Sequence, residues 1–547
     1  MTTYGPYAFA NETVSQRIAR ALAPHVEHAY GVVGNGNVHV VDALSAEGVS
    51  YTAVRHESSS VSAADAHYRA SRRLAIATTT YGAGFTNTLT AVAEAVCARS
   101  PVILLAGTGP STGARRWDVE QEAIVKALGA TTFTVSDIGV ARTAIDAVRH
   151  ALDQRSVAVI MIPFDLVKEL AAPEAAWTIE EKPETALVPD PDAVRDVAEL
   201  LSTAQRPLVL AGRGAVEAGA DSALATLTRR VGASGATTVL ARGFFDGHID
   251  SLGVAGGFSA HREFAVMTDA DVVVAVGSSL DDFTTRGGQL LDGAKHVVQV
   301  DTKQQATHRS VDTFVRMDAK AFAEAVTAAL PGEDREAWLM DVSPSPAPLL
   351  GDALGDDGRL NPRAVTAWLD QVLPADRLVV QDGGHFMQWP VSHLRTSRPE
   401  HLLMMGLNFQ SIGLGLGGAV GAATARPAMT TVVCVGDGGG LMGLPDLETL
   451  IRTADHAVVL VFNDAAYGAE VHQYRQQGLD PTPMLIDEID FGAVARSLGA
   501  QGYTVRTPSE LSALVGVLRE RPNGVVVVDL HISRQVVAPF VGSLSGH

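Results

Sequence analysis

Two stretches of the sequence decide the fold: residues 430–440, TTVVCVGDGGG, and residues 456–468, HAVVLVFNDAAYG. Each begins with an apolar, β-branched run and ends in a turn of glycine or polar residues, which predicts two strands of a parallel sheet. Asp437 and Asp464 follow these runs and are 27 residues apart, enough for one helix between neighbouring strands. Open α/β sheets bind ligands at the carboxyl ends of their strands. Two carboxylates there, beside the N–H groups of a glycine-rich turn, suit a divalent cation that bridges a phosphate.

The same alternation of strand-like and helix-like stretches continues outward along the chain. Apolar runs such as LAIATTT at 74–80 are separated by Ala- and Leu-rich stretches with helical spacing, a pattern typical of parallel sheets buried on both faces. Pro-rich stretches at 169–192 and 341–357 predict linkers. We therefore expect an α/β fold of three consecutive, doubly wound parallel-sheet domains, at residues 1–172, 190–340 and 358–547.

Composition narrows the class of protein. The 547 residues carry a formal net charge of −19, which argues against a nucleic-acid partner or an anionic membrane surface. With 46% apolar and 19% charged residues, the chain is expected to form large cores. The two cysteines, Cys97 and Cys434, cannot form a disulfide framework, and we see neither a signal peptide nor an apolar run long enough to span a bilayer. These features favour a cytoplasmic location.

Gly-Asp-Gly at 436–438, followed after a helix and a strand by Asn463-Asp464, resembles the signature of a known family. That family is the thiamine-diphosphate-dependent enzymes of the acetolactate synthase and pyruvate decarboxylase group. The resemblance implies pyrimidine-binding, central and diphosphate-binding domains in that order. It also implies Mg²⁺ bound by Asp437, the Asp464 side chain and the Ala466 carbonyl. The family has Asn at position 464, so Asp464 keeps an oxygen ligand but adds negative charge beside the diphosphate.

Two further segments resemble the parts of the family that contact the cofactor rings. Arg55-His56-Glu57 matches the segment whose glutamate contacts the aminopyrimidine, and such a carboxylate shifts that ring toward the imino tautomer that deprotonates the thiazolium carbon. A partly desolvated setting would suit this proton exchange. SIGLG at 411–415 matches the segment beneath the cofactor. Ile412 is then the apolar wedge between the rings, and the Gln410 carbonyl accepts from the pyrimidine amino group.

The diphosphate end of the cofactor is expected at a third matching segment. Asp382-Gly383-Gly384-His385 follows the predicted strand RLVVQ and resembles the diphosphate-contacting loop, in which His385 donates to a phosphate oxygen. The remaining expected cofactor contacts are Gly436, Gly438, Gly439, Tyr467 and Gly468.

The candidate groups on the substrate side are four residues from three parts of the sequence. Gln121 matches a glutamine that lines the active site of acetolactate synthases, although Glu120 replaces the neighbouring aromatic residue. Glu470 has the spacing of a catalytic glutamate in the related decarboxylases, and His472 lies near it. Asn35 stands in a turn where those decarboxylases place an aspartate. The paired histidines of the decarboxylases are missing, and exposed helix positions explain Glu470 and His472 equally well.

The middle unit contains only a weak dinucleotide-binding signal. Gly212-Arg213-Gly214 lacks a third glycine at the required spacing, which disfavours a nicotinamide-dependent oxidoreductase. Acetolactate synthases bind FAD in this unit, but the adjacent arginine of their FAD run is absent from SSLDDFTTRGG at 278–288. FAD binding stays open, and a purely structural domain is favoured.

The resemblance implies a thiamine-diphosphate- and Mg²⁺-dependent enzyme that decarboxylates a 2-oxo acid and joins the product to a second carbonyl compound. The alternatives are a 2-oxo acid decarboxylase, a lyase acting on 2-hydroxy ketones or 2-hydroxyacyl thioesters, and a non-catalytic cofactor-binding homologue. The family also implies a homodimer or homotetramer with its active sites between subunits, so that Glu57 would face Asp437 and Asp464 of another copy.

Overall fold

The computed structural model describes residues 11–174, 187, 190–339 and 353–541. Most of each predicted linker, at 169–192 and at 341–357, lies outside these residues. Residues 1–10 of the first predicted domain, residue 340 of the second and residues 542–547 of the third also lie outside them. The described chain contains three six-stranded sheets in which every pairing between strands is parallel. The prediction of three parallel-sheet α/β domains is therefore confirmed.

The first sheet has the strand order β2-β1-β3-β4-β6-β5. Its strands are β1 Val26–Gly31, β2 Ser50–Ala53, β3 Leu74–Thr79, β4 Val102–Thr108, β5 Thr131–Thr134 and β6 Val157–Pro163. Its helices are α1 Val14–Leu22, α2 Val38–Ala46, α3 Glu57–Ser71, α4 Ala83–Thr86, α5 Leu89–Cys97, α6 Gln121–Ala127 and α7 Val140–Gln154. All seven residues of β6 are buried, as expected for an inner strand covered on both faces.

The second sheet has the order β12-β11-β10-β7-β8-β9. Its strands are β7 Pro207–Ala211, β8 Ser234–Thr237, β9 Ser251–Val254, β10 Val272–Val276, β11 His296–Asp301 and β12 Thr313–Arg316. Its helices are α8 Pro191–Thr203, α9 Arg213–Glu217, α10 Asp221–Val231, α11 His261–Met267, α12 Asp282–Thr285 and α13 Ala319–Ala329. Read from β9, this is the strand order of dinucleotide-binding folds.

The third sheet has the order β14-β13-β15-β16-β18-β17, which repeats that of the first sheet. Its strands are β13 Arg377–Gln381, β14 Leu402–Met404, β15 Thr430–Gly436, β16 His456–Asn463, β17 Gln501–Val505 and β18 Gly524–His531. Its helices are α14 Pro362–Val372, α15 Gln388–His393, α16 Gly415–Ala425, α17 Asp437–Met442, α18 Leu444–Thr453, α19 Gly468–Arg475, α20 Phe491–Ser497, α21 Pro508–Ala513 and α22 Val515–Arg519.

The first and third domains share a core through α3 and α16, which lie side by side. Small residues allow the close approach: a Cβ on Gly417 would lie 2.5 Å from the Ser62 hydroxyl oxygen, and one on Gly421 would overlap the Ala63 carbonyl. The Ser59 hydroxyl donates to the buried Asp446 carboxylate at the start of α18. The two predicted cofactor-binding domains of one chain are thus packed on each other.

Candidate active site

The two predicted metal-binding carboxylates lie where β15 and β16, which pair in the third sheet, both end. Asp437 is the first residue of α17, and Asp464 directly follows β16. Both are buried, with 4% and 5% of their surface exposed. The two loops are linked, because the Ala466 N–H donates to Asp437 Oδ2 at 3.1 Å. The structure therefore brings all three predicted metal-binding residues together.

Burial destabilises the charged forms of Asp437 and Asp464, and the charge of Asp437 adds to this effect at Asp464. Burial raises the pKa of Asp437 to about 6, and burial followed by the charge of Asp437 raises the pKa of Asp464 to about 7. Arg534 opposes this and lowers both pKa values. Its guanidinium donates from Nη2 to the Asp464 carbonyl at 2.6 Å and to the Ala465 carbonyl at 3.0 Å. Sequence reasoning missed Arg534, which partly offsets the extra charge of Asp464.

The donor set fits a hard, oxygen-seeking cation such as Mg²⁺. Among the described residues no three His, Cys, Asp or Glu side chains converge on one point, so the protein offers two carboxylates and a carbonyl. Mg²⁺ is usually bound by one or two carboxylates and completes its shell with substrate phosphate oxygens and water. The pair of Asp437 and Asp464 thus suits a metal that also binds a diphosphate.

The glycines of the predicted diphosphate site lie where loops approach each other closely. A Cβ on Gly468 would stand 2.6 Å from Asp464 Oδ2, and a Cβ on Gly438 would stand 2.6 Å from Tyr467 Cε1. A Cβ on Gly439 would stand 2.6 Å from Asp382 Oδ2. At Gly436 and Gly384 the nearest atoms belong to Phe386, at 3.2 Å, and Gly384 has a φ of +137°. These glycines allow the turns around the predicted metal ligands to pack closely.

His385 is held in a single tautomer. The Ala538 N–H donates to His385 Nε2 at 2.8 Å, so in the neutral ring the proton is on Nδ1. Burial, followed by the nearby His472, lowers the pKa of His385 to about 3 and keeps the ring neutral. Nδ1 lies on the side of Gly468, where a Cβ would be 3.3 Å away. His385 thus presents a neutral N–H donor beside the Asp464 loop, as a phosphate contact requires. Ala538 was missed because it donates through its backbone.

The segment predicted to lie beneath the cofactor is anchored to the third sheet. The Gly413 N–H donates to Asp382 Oδ2 at 2.9 Å, and burial raises the pKa of Asp382 to about 7. A Cβ on Gly383 would be 2.9 Å from Ile412 Cγ2, so only glycine lets Ile412 approach β13 this closely. Gln410 is exposed and has a φ of +59°, the left-handed region that non-glycine residues rarely occupy.

Glu57 begins α3 at the carboxyl end of the first sheet and is half-buried. Its Oε2 accepts a hydrogen bond from Asn87 Nδ2 at 2.9 Å. A Cβ on Gly84 would be 3.3 Å from its Oε1, which places the turn after β3 against the carboxylate. Asn87 was missed by sequence reasoning, although it follows the same glycine-rich turn. These contacts orient Glu57 within the first domain, while Asp437 and Asp464 face each other in the third.

The predicted substrate-side residues differ in their surroundings. Gln121 is buried, and its amide joins two strand ends by accepting from the Gly82 N–H at 3.1 Å and donating to the Gly107 carbonyl at 3.0 Å. This role holds loops and leaves little hydrogen-bonding capacity for a substrate. Asn35 is exposed, whereas Asn37 holds the turn by accepting from the Gly34 N–H at 2.8 Å.

Glu470 and His472 lie on α19, which follows the metal loop. Glu470 is exposed, and His472 is half-buried with its ring 4.7 Å from that of His385. His472 Nε2 is buried and has no hydrogen-bond partner among the described residues. Of the two residues, only His472 is placed next to the expected diphosphate contact.

In the middle domain, the turn at Gly212-Arg213-Gly214 is packed against the neighbouring turn at Gly277. The Gly214 N–H donates to the Gly277 carbonyl at 2.9 Å, and a Cβ on Gly212 would overlap that same carbonyl. The N–H groups that would receive a pyrophosphate at this strand end are thus partly used by the neighbouring turn.

Comparison with known proteins identifies the three domains. Residues 12–128 match the N-terminal TPP binding domain of thiamine pyrophosphate enzymes, 194–326 match their central domain, and 382–530 match their C-terminal TPP binding domain. The chain belongs to the thiamine pyrophosphate enzyme family. Among the described residues of this family member, no helix is long and apolar enough to cross a membrane.

Relatives within the family carry different activities. The chain is 28% identical to the acetolactate synthase large subunit of Parasynechococcus marenigrum, covering 96% of this chain and 89% of that one. It is 26% identical to the pyruvate oxidase of Lactiplantibacillus plantarum, covering 89% and 82%. The thiamine diphosphate-dependent 4-hydroxybenzoylformate decarboxylase of Rhodococcus jostii RHA1 has the same fold, with a TM-score of 0.82, 19% identity and coverage of 96% and 100%. The chain is thus a thiamine-diphosphate-dependent enzyme of the class that includes acetolactate synthases.

Proposed function

We propose that the enzyme uses Mg²⁺ and thiamine diphosphate to decarboxylate a 2-oxo acid and join the resulting acyl unit to a second carbonyl compound. The observation that carries this proposal is the buried pair of Asp437 and Asp464 at adjacent strand ends, next to the neutral N–H donor of His385. The similarity to acetolactate synthase over most of both chains favours carboligation as the outcome. FAD is not part of the proposal, because the glycine turn of the middle domain is occupied by Gly277.

Each proposed role follows from the placement of the residue. Asp437, Asp464 and the Ala466 carbonyl would bind Mg²⁺, and His385 Nδ1 would donate to a phosphate oxygen. The Gln410 carbonyl would accept from the pyrimidine amino group, and Ile412 would separate the two rings. When bound, the cofactor supplies a nucleophilic carbon and an electron-accepting thiazolium ring, which takes up the electron pair released by decarboxylation. Glu57, oriented by Asn87, would exchange a proton with the pyrimidine ring.

We also propose a homodimer as the smallest active unit, with a homotetramer as its larger form, as the family resemblance implies. Glu57 contacts Asn87 of its own domain, and Asp437 contacts Ala466 of the third domain. A second copy would complete each site by placing its Glu57 against the Asp437 and Asp464 of the first.

A second candidate, decarboxylation to an aldehyde or cleavage of a 2-hydroxy ketone, is favoured by His472. Its buried Nε2 lacks a partner among the described residues and its ring lies beside His385. Burial lowers the pKa of His472, which favours the neutral ring. Protonation of the acyl unit releases an aldehyde, whereas carboligation does not need that step.

The decisive experiment combines binding with product identification. Metal-free, cofactor-free protein is titrated with thiamine diphosphate and Mg²⁺, and the loaded enzyme is given a panel of 2-oxo acids with and without a second carbonyl compound. Carbon dioxide with a ligated product supports the first proposal, and carbon dioxide with only an aldehyde supports the second. Cofactor binding without carbon dioxide release from any 2-oxo acid, and without cleavage of added 2-hydroxy ketones, would support a non-catalytic homologue. Visible absorbance of the purified protein at flavin wavelengths would contradict the proposal that the middle domain does not bind FAD.

A further inference from the structure

The segment 408–413 carries Gln410 and Ile412 and is held at both ends by a buried carboxylate. At its end, Asp382 of the third domain accepts from the Gly413 N–H at 2.9 Å. At its start, Glu94 accepts from Asn408 Nδ2 at 2.9 Å and from the Phe409 N–H at 2.8 Å. Glu94 belongs to α5, so this anchor comes from the first domain.

Glu94 is itself fixed by a buried network of charges. It is only 1% exposed, and Arg69 of α3 donates to its Oε1 at 3.2 Å. Asp65 accepts two further bonds from Arg69, at 2.7 and 2.6 Å, and Arg69 Nη1 donates to the Met404 carbonyl at the end of β14 at 2.9 Å. The first domain thus holds both the end of β14 and the start of the segment that follows.

The backbone between the two anchors is strained. Gln410 has a φ of +59°, a conformation that costs a non-glycine residue on the order of 1 kcal/mol and persists only where the surroundings impose it. The Glu94 bond to the Phe409 N–H acts on the residue just before Gln410. Without this bond, the backbone can relax and turn the Gln410 carbonyl away from its present direction.

We propose that Glu94 is a positioning residue of the cofactor ring site: from the first domain it fixes segment 408–413 of the third domain, so that the Gln410 carbonyl and the Ile412 side chain meet the cofactor rings. The inference rests on the proposed function for the roles of Gln410 and Ile412. It adds that the ring site within one chain is built across the boundary between two domains, with the start of segment 408–413 held from the first domain and not from the diphosphate loop.

Because Glu94 fixes the ring-contacting segment from another domain, a change at Glu94 should weaken binding of the whole cofactor without weakening binding of inorganic diphosphate. Glu94→Gln keeps the size of the side chain but replaces an acceptor oxygen with a donor, so either the Phe409 N–H or the Asn408 amide loses its partner. We expect the Kd for thiamine diphosphate with Mg²⁺ to rise about 10-fold, the cost of one unpaired buried donor. The Kd for inorganic diphosphate with Mg²⁺ should change by less than about 2-fold, because Asp437, Asp464 and His385 are untouched.

Two companion variants separate positioning from general stability. Asp65→Asn removes a charge from the same buried network without contacting segment 408–413, and should leave the ratio of the two Kd values unchanged. Asn408→Ala removes only the side-chain bond to Glu94, and should shift the ratio in the same direction by about 3-fold. Both Kd values are measured by quenching of tryptophan fluorescence. Amide hydrogen exchange of peptides covering 402–416 in the cofactor-free protein should be faster in Glu94→Gln than in Asp65→Asn.

The ratio of the Kd for thiamine diphosphate to the Kd for diphosphate decides whether Glu94 has a positioning role. A ratio raised in Glu94→Gln and Asn408→Ala but not in Asp65→Asn supports the positioning role. Equal ratios in wild type and Glu94→Gln would overturn it, and if Glu94→Gln does not fold, an unchanged ratio in Asn408→Ala would do the same. If wild-type protein binds thiamine diphosphate no more tightly than diphosphate, the assignment of the ring site fails and the proposed function fails with it.

Discussion

The first and third domains have the same strand order, yet the ends of equivalent strands carry different chemistry. In the first domain, β3 ends in a turn that packs on Glu57, a half-buried carboxylate oriented by Asn87. In the third, the equivalent β15 runs directly into Asp437, a fully buried carboxylate next to Asp464. Under the proposed roles, one scaffold would serve proton transfer in one copy and metal binding in the other. The difference is set by a few residues beyond the strands.

The strongest test of this division is Glu57→Gln. The amide can still accept from Asn87 but cannot exchange a proton, so turnover should fall by about 10²- to 10⁴-fold. The Kd for thiamine diphosphate should stay within about 2-fold of wild type, because the proposed ligands of the metal and the diphosphate lie in the other domain. Initial rates of carbon dioxide release and fluorescence titrations measure the two effects. Glu47→Gln, an exposed change in the same domain, is the matched control, and full turnover in Glu57→Gln would rule out the proton role.

The reciprocal test changes the third domain. Partners that only support a metal ligand are worth about 10- to 100-fold in metal affinity, so Asp437→Asn should weaken Mg²⁺ binding by at least about 100-fold. Asp464→Asn retains an amide oxygen at a position already crowded with charge, so its loss should be roughly 10-fold or less. Calorimetric titration of Mg²⁺ in the presence of thiamine diphosphate gives both values. Equal losses in the two variants would show that the two carboxylates are equivalent.

A third test changes the α3–α16 contact between the two domains without changing any residue of the proposed active site. Gly421→Ala places a methyl group against the Ala63 carbonyl, where backbone rather than a flexible side chain must move. We expect the free energy of unfolding to fall by about 1–3 kcal/mol, the usual cost of overpacking. The midpoint of urea unfolding measures it. Gly516→Ala, in α22 with open space around it, should be neutral or slightly stabilising; a similar loss there would point to a general intolerance of the fold.

The smallest expected effect is a pH dependence of the free energy of unfolding, caused by Asp446 where the first and third domains meet. Burial raises the pKa of Asp446 from its ordinary value of 3.8 to about 6, although the Ser59 hydrogen bond opposes this. Between these two values the folded state binds more protons than the unfolded state, so this group makes the free energy of unfolding fall as pH rises through that window. In Asp446→Asn this contribution, at most about 1.4 kcal/mol per pH unit, should be absent. Urea midpoints at pH 4.5 and 7 test it, with exposed Asp269→Asn expected to retain the wild-type dependence.

Much of this organisation could be predicted from local sequence. Continuous apolar runs such as β15 and β16 identify parallel strands because both faces of such strands are buried. The two metal-site loops followed from the residues after those runs, since the carboxyl ends of adjacent parallel strands meet. The spacing between Asp437 and Asp464 was therefore sufficient to place them together.

The unpredicted parts depend on contacts between residues far apart in the chain. Arg534 reaches the Asp464 loop from beyond β18, and Ala538 sets the His385 tautomer through its backbone N–H, which no side-chain pattern reveals. Gln121 matched a family position, yet its amide hydrogen-bonds to two strand-end turns. The resemblance points to Asn35, yet Asn35 is exposed and Asn37 is buried. Sequence does not show which asparagine of the turn faces inward.

The glycine content of α16 has a consequence for how the protein is made. The helix reads GLGGAVGAATA, with four glycines in 11 residues, and each interior glycine costs about 1 kcal/mol relative to alanine in an isolated helix. Such a segment stays helical because it is docked on α3 and has little tendency to form alone. During synthesis α3 leaves the ribosome long before α16, so the finished first domain can serve as the template on which the third one closes. A premature stop after the second domain would leave α3 without its cover, and that fragment should be recognised by chaperones.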